Sequence, residues 1–254
     1  MLIDTHSHLY LEDFRSDISE VIKRAEAEGV KKFYLPAIDS REIDNMLLLE
    51  TQFPGKCIAM MGLHPCSVKE NYKDELAIVK DWLAKRRFAA VGEIGLDFYW
   101  DKTFTVQQYE AFRMQIELSL QYELPIVIHT RNAMQETIDV VSEYVPRGVR
   151  GIFHCFGGSY DNARQIIDMG FYLGIGGVLT YKKSGLAEVL AKIDLEYMVL
   201  ETDSPYLTPV PFRGKRNEGS YLKYVVEKLA EIKNTTVNEV AAITSNNAQK
   251  IFGL

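Results

Sequence analysis

The feature that most constrains this chain is its rhythm. Short, nearly continuous apolar runs alternate with longer amphipathic ones from one end to the other. Runs at 2–4, 32–37, 57–62, 88–92, 125–129, 151–154, 171–175 and 197–200 read as strands. Most lack a polar alternate face, which is the pattern of parallel strands buried on both sides. Between them the spacing predicts helices over 18–27, 42–52, 73–86, 106–122, 134–144, 160–169 and 186–192. Gly29, Gly170 and Gly185 punctuate helix ends or starts, and Ser40 is the expected N-cap of the second helix. A polar loop at 212–219 precedes a helical tail, where Thr236 and Glu239 read as a capping box opening the final helix. About eight strand–helix repeats in 254 residues is the arithmetic of a (β/α)8 TIM barrel, an α/β fold, as one domain over 1–254. An open doubly wound sheet is the competitor, but it would gather its ligand at one crevice rather than at many strand ends.

Chemistry-bearing residues fall at those strand ends. All five histidines lie at or near them: His6 and His8 follow the first run, His64 the third, His129 the fifth and His154 the sixth. Glu93 and Asp203 end similar runs. His6 and His8 are one residue apart, so on extended backbone they point the same way and can reach one ion. In a closed barrel, strand ends converge on a single face, the face that carries active sites. The expectation is therefore a metal site at the carboxyl ends of the strands, built from His6, His8, Glu93, His129, His154 and Asp203. Six ligands exceed what one tetrahedral ion uses, which implies two divalent ions. Glu93 would bridge them, His6, His8 and Asp203 would hold the first, and His129 and His154 the second. Two such ions can share and activate a water, with Asp203 accepting its proton. Nitrogen and oxygen donors suit zinc, manganese or magnesium alike.

Composition narrows the partners. A net charge of −6 argues against a strongly basic nucleic-acid coat, though a local cationic patch can still steer phosphate. Cys57, Cys66 and Cys155 form no CxxC pair and read as reduced thiols. No apolar run is long enough to cross a bilayer and no targeting segment is recognisable. The expectation is a cytoplasmic protein without membrane contact, with no obligate protein partner evident.

Taken together, Asp4-Thr5-His6-Ser7-His8, Gly62-Leu63-His64-Pro65, the stretch Gly92-Glu93-Ile94-Gly95-Leu96-Asp97-Phe98-Tyr99, His129-Thr130-Arg131, His154-Cys155-Phe156, Glu201-Thr202-Asp203-Ser204-Pro205 and Arg213-Gly214-Lys215-Arg216-Asn217-Glu218 resemble the TatD-like metal-dependent deoxyribonucleases. The match runs in order along nearly the whole chain. The resemblance implies a barrel of the amidohydrolase-like metallohydrolase superfamily, two divalent ions, and 3′-to-5′ exonuclease hydrolysis of DNA. It implies the same six metal-binding residues, with Glu93 where many superfamily members use a carboxylated lysine. Two departures are visible: Asn132 where the family often has Asp, and Gly219 where Pro is frequent.

Further candidates surround these residues. His64 is not needed to complete either ion, so a phosphate contact is weighed against a structural role. Arg131 could grip a phosphate with a forked pair of bonds or form a salt bridge. Arg213, Lys215 and Arg216 make a basic cluster after the last strand that could bind phosphate or simply face solvent. Tyr99, with Phe98 and Trp100, could stack bases at a single-stranded DNA end. Gly157-Gly158-Ser159 precedes a helix whose free amides could accept an anion. Glu201 and Asp4 could orient ligating imidazoles. The alternative to a DNA phosphodiesterase is a hydrolase of an ester, lactone or amide using the same activated water, since fold does not select substrate.

Overall fold

A computed structural model describes residues 1–253. Eight strands alternate with helices: β1 (Leu2–Asp4), α1 (Ile18–Ala27), β2 (Val30–Pro36), α2 (Ile43–Gln52), β3 (Cys57–Met60), α3 (Tyr72–Lys85), β4 (Val91–Asp97), α4 (Thr105–Gln121), β5 (Ile126–Arg131), α5 (Met134–Ser142), β6 (Gly151–Phe153), α6 (Tyr160–Asp168), β7 (Tyr172–Ile175), α7 (Leu186–Leu190) and β8 (Met198–Leu200). Two more helices follow, α8 (Leu222–Lys233) and α9 (Val237–Phe252). Every strand pairing is parallel, in the order β1-β2-β3 and β4-β5-β6-β7-β8. The two sheets meet along two seams. At one, Met61 donates to Ala90 at 3.1 Å and Gly92 donates back to Met61 at 3.0 Å. At the other, Thr5 donates to Leu200 at 2.9 Å and Ser7 bridges Ser204. The chain thus adopts the (β/α)8 barrel fold.

Two apolar clusters hold it. The larger lies between helices and strands and includes Phe33, Leu35, Ile94, Leu96, Phe112 and Ile116. The smaller gathers Ile3, Tyr34, Met60, Ala90, Val127, Ile152 and Val199 against Ala248 and Ile251 of α9. Phe252 stacks on Tyr34 with ring centres 3.8 Å apart, so α9 closes the floor of the barrel. Strand periodicity then carries chemistry to the other end. His129, His154 and Glu201 stand two residues beyond Val127, Ile152 and Val199, on the same strand face and one layer up. The alternation that fills the floor with aliphatic groups puts imidazoles and a carboxylate above it.

Three expectations are corrected. The fourth strand is Val91–Asp97, not 88–92, and all of it is buried. Its register slips between Gly92 and Ile94 as they pair with Val127 and Ile128. Glu93 therefore occupies an irregularity inside the strand rather than its end, where the extra residue re-aims a side chain. The run was hard to read because Glu93 and Asp97 interrupt its apolar pattern. Second, Ser40 does not cap α2; its hydroxyl donates to Glu75 Oε1 at 2.8 Å and the N-cap is Glu42. Third, the box at α9 is half formed: Thr236 Oγ1 accepts from the Glu239 amide at 3.2 Å, while the Glu239 carboxylate takes the Thr235 hydroxyl. Gly29, Gly170 and Gly185 do stand at positive φ where expected. No helix among the described residues is long and apolar enough to cross a membrane.

Candidate metal centre

The six residues singled out in the sequence converge on one end of the barrel, around Glu93. His6 Nε2 lies 3.1 Å from Glu93 Oε2 and 3.6 Å from Asp203 Oδ1. His8 Nε2 lies 3.5 Å and 3.6 Å from the same two oxygens. The other Glu93 oxygen, Oε1, is 2.8 Å from His129 Nδ1 and 3.3 Å from His154 Nε2. Glu93 thus faces two groups of donors with its two oxygens. His6, His8, Glu93 and His154 are almost wholly buried, and His129 and Asp203 partly so. Three overlapping sets could hold an ion: His6–His8–Asp203, His6–Glu93–His154 and His64–Glu93–His129.

His64 belongs to that third set, its Nε2 3.4 Å from Glu93 Oε1. It sits on the wall of the centre. Its Nδ1 accepts from the Cys66 amide at 3.0 Å.

Three imidazoles have the nitrogen that faces away from the centre held by a second partner. The Tyr10 hydroxyl donates to the Pro36 carbonyl at 2.5 Å, so its oxygen accepts from His8 Nδ1 at 3.0 Å. Glu201 Oε1 takes His154 Nδ1 at 3.1 Å and the Cys155 amide at 2.6 Å. Asp97 Oδ2 takes His129 Nε2 at 2.9 Å. Each acceptor keeps a proton on the far nitrogen, so the near one is the atom left to meet an ion once it gives up any proton of its own. This set of imidazole nitrogens and carboxylate oxygens turned toward one another fits divalent cations. Glu201 thus meets an imidazole and a backbone amide with one oxygen. Asp4 instead binds backbone and hydroxyl: it accepts from the Thr202 amide at 2.9 Å and the Thr202 hydroxyl at 2.6 Å. Tyr10 and Asp97 were not singled out for this, although Asp97 stands in the quoted Gly92–Tyr99 stretch.

Charge is arranged to match. Burial would raise the Glu93 carboxyl, but the imidazoles of His64, His6 and His154 outweigh it and hold it well below the usual range. Burial likewise opposes protonation of His154, yet the Glu201 and Glu93 charges lift it to about 10. His6 is driven down by burial and by the neighbouring His154. Burial raises Asp203 to about 6. A carboxyl that ionises near neutrality, beside two imidazole nitrogens, is suited to exchanging a proton. Asp203 also sits at φ 56, a conformation that a short acidic side chain tolerates.

A family model described as TatD related DNase matches residues 3–253. The chain belongs to the TatD-related DNase family. It is 41% identical over 253 residues to YabD of Bacillus subtilis, an uncharacterized metal-dependent hydrolase, covering 99% of each chain. It is 29% identical to the 3′-5′ ssDNA/RNA exonuclease TatD of Erwinia tasmaniensis, covering all of both. Among solved structures, the TatD homologue YjjV of Escherichia coli superposes with a TM-score of 0.93 at 28% identity, covering 100% of this chain and 98% of that one. This TatD-family chain is a metal-dependent hydrolase.

The rim of this TatD-family centre carries the other candidates. Arg131 ends β5 with its guanidinium carbon 3.9 Å from the Tyr99 ring centre and 5.1 Å from that of Trp100. Tyr99 is 51% and Trp100 66% exposed, so two rings and a cation form one cluster open to solvent. Tyr206 is exposed too, its ring 6.1 Å from that of His8. Its place three residues after Asp203 was the only sequence signal. The basic cluster divides. Arg213 lies exposed over the Tyr181 ring at 4.0 Å. Arg216 is engaged: it grips Asp17 with two bonds of 2.8 Å and donates to the Asp13 carbonyl at 2.6 Å. Its guanidinium ties the loop after β8 to the start of α1, so it is not free to take phosphate. Asn217 and Glu218 serve the same anchoring. Asn217 donates to the carbonyls of Thr202 and Tyr206 at 2.8 and 2.7 Å, and Glu218 takes Arg24 Nε and Nη2 at 2.8 and 2.6 Å. At Gly157–Ser159 the hydroxyl of Ser159 caps α6, accepting from the Asn162 amide at 3.1 Å.

Proposed function

We propose that this chain is a two-metal deoxyribonuclease that removes nucleotides from single-stranded DNA ends, in the 3′-to-5′ direction. What supports the reading is the rim: Arg131 stacked on Tyr99 and Trp100 beside the centre offers a cation for phosphate and open rings for a base. Small esters and lactones need neither.

His6, His8 and Asp203 would hold one divalent ion and His129 and His154 the other, with Glu93 reaching both. Bound there, such ions lower the pKa of water and stabilise charge on phosphoryl oxygens. Asp203, whose carboxylate faces His6 and His8, takes the proton from the attacking water. Glu93 fixes the spacing of the two donor groups. Arg131 draws the phosphate next to the scissile one into line, and Tyr99 and Trp100 seat the terminal base. Zinc, manganese and magnesium all suit the donor atoms.

The experiment is release of nucleotides from end-labelled single-stranded DNA by metal-loaded protein, with label at either end and with a chelator control. Stepwise shortening from the 3′ end that stops with chelator and in Asp203→Asn is the expected result. Intact DNA alongside turnover of small esters or lactones would replace this reading with the other hydrolase.

A further inference from the structure

We propose that Asp97 is a positioning residue that sets two things at once: the tautomer of His129 and the placement of the Tyr99–Trp100 platform. Asp97 closes β4 and is 1% exposed, yet neither carboxylate oxygen is idle. Oδ2 lies 2.9 Å from His129 Nε2. Oδ1 accepts from the amides of Tyr99 and Trp100 at 2.9 and 3.0 Å. Its backbone is clamped by the buried Gln108 of α4, whose Oε1 accepts from the Asp97 amide at 2.9 Å and whose Nε2 donates to the Asp97 carbonyl at 3.1 Å. One rigid carboxylate therefore stands between a candidate ligand and the aromatic loop.

Each oxygen has a separate consequence. Oδ2 can only accept, so Nε2 keeps its proton when an ion takes Nδ1, the nitrogen that meets Glu93 Oε1 at 2.8 Å. Oδ1 gathers two consecutive amides into a turn that lifts both rings into solvent beside Arg131, as an acidic side chain does when it bonds amides just ahead of it. The arrangement makes ion binding and aromatic display depend on one side chain. The part concerning His129 stands without the nuclease reading. The use of the platform for bases rests on it.

The two jobs separate by substitution. In Asp97→Asn the amide oxygen must keep facing the two backbone donors, so the NH2 turns to His129 Nε2. The His129 proton then moves to Nδ1 and blocks the lone pair meant for an ion. In Asp97→Ala both jobs are lost. Both variants are made in a Trp82→Phe background, which leaves Trp100 the sole indole. Manganese affinity is read by competition with a chromophoric chelator, the protonation of each His129 nitrogen by 15N chemical shifts in metal-free protein, and the loop by acrylamide quenching of Trp100.

For Asp97→Asn the expected result is about 10–100-fold weaker manganese binding with the proton on Nδ1 and unchanged quenching. For Asp97→Ala it is weaker binding and altered quenching together. Wild-type manganese affinity in Asp97→Asn, or wild-type quenching in Asp97→Ala, overturns the proposal. If Asp97→Ala does not fold, Asp97→Asn decides the His129 half. Thr substituted for Trp100's neighbour Tyr99 (Tyr99→Thr) then serves as the quenching reference for a displaced loop, and a matching signal in Asp97→Asn would refute the separation. Failure of every form to bind a short deoxyoligonucleotide would sink the nuclease reading and leave these readouts standing.

Discussion

Gly174 on β7 provides room for Glu201, and adding one methyl group there tests the orienting role of that carboxylate. A Cβ at Gly174 would fall 2.4 Å from Glu201 Oε2 and 2.9 Å from its Cδ, with the His154 Cα at 3.0 Å. Ordinary contact begins at 3.4 Å, so the carboxylate must retreat by about 1 Å. From 3.1 Å to His154 Nδ1 and 2.6 Å to the Cys155 amide, that retreat breaks or badly stretches both bonds. Bonds to a charged group contribute about 1.5–3 kcal/mol each, so Gly174→Ala should lose about 2–4 kcal/mol after partial relaxation. The loss of a ligand's orienting partner should also weaken metal binding about 10–100-fold. Gly176 is the internal control, since a Cβ there meets Glu201 atoms only at 3.4 Å and beyond. Thermal melts and chelator competition on both variants check this. If Gly174→Ala and Gly176→Ala bind metal with the same affinity as wild type, Glu201 does not hold His154 in the way described.

Tyr10→Phe removes only a hydroxyl but leaves His8 Nδ1 without an acceptor. It should weaken ion binding by about tenfold or more and cost about 1–2 kcal/mol by denaturant titration; an unchanged affinity would count against the relay. In metal-free protein His154 is lifted from 6.5 to about 10, by Glu201 and Glu93 against the opposing effect of burial. A raised folded-state pKa gives stability that is complete below 6.5 and lost as pH climbs toward 10, so the metal-free melting temperature should fall across that window. By the same sign, ion binding at pH 8 should release at least one proton, measurable by calorimetry in buffers of different ionisation enthalpy. Gly219→Ala should cost about 1–3 kcal/mol without changing metal affinity, because its Cβ would meet Phe33 Cε1 at 2.7 Å and Ala25 Cβ at 3.0 Å.

That last contact gives one reason for a Gly at 219: the space beside its Cα is filled by the Phe33 ring. A residue-type departure is visible in sequence, whereas the side chain that fills the space is not. The fold itself was legible because parallel strands buried on both faces leave unbroken apolar runs. The fourth strand was misplaced for the complementary reason, that Glu93 and Asp97 lie buried within it. The convergence of His6, His8, Glu93, His129, His154 and Asp203 followed from strand ends meeting on one face. What holds those residues did not. Tyr10, Asp97 and the clamp at Gln108 act through hydrogen bonds whose partners are fixed only once the chain is folded. Arg216 was read as free charge because its partner, Asp17, stands some two hundred residues away.

The most direct measurement is anomalous diffraction from crystals of the metal-free protein equilibrated with manganese. Two peaks about 3.5–4 Å apart are predicted, one among His6, His8 and Asp203 and one against His129 and His154, with Glu93 touching both. A single peak, or manganese bound away from Glu93, would contradict the account.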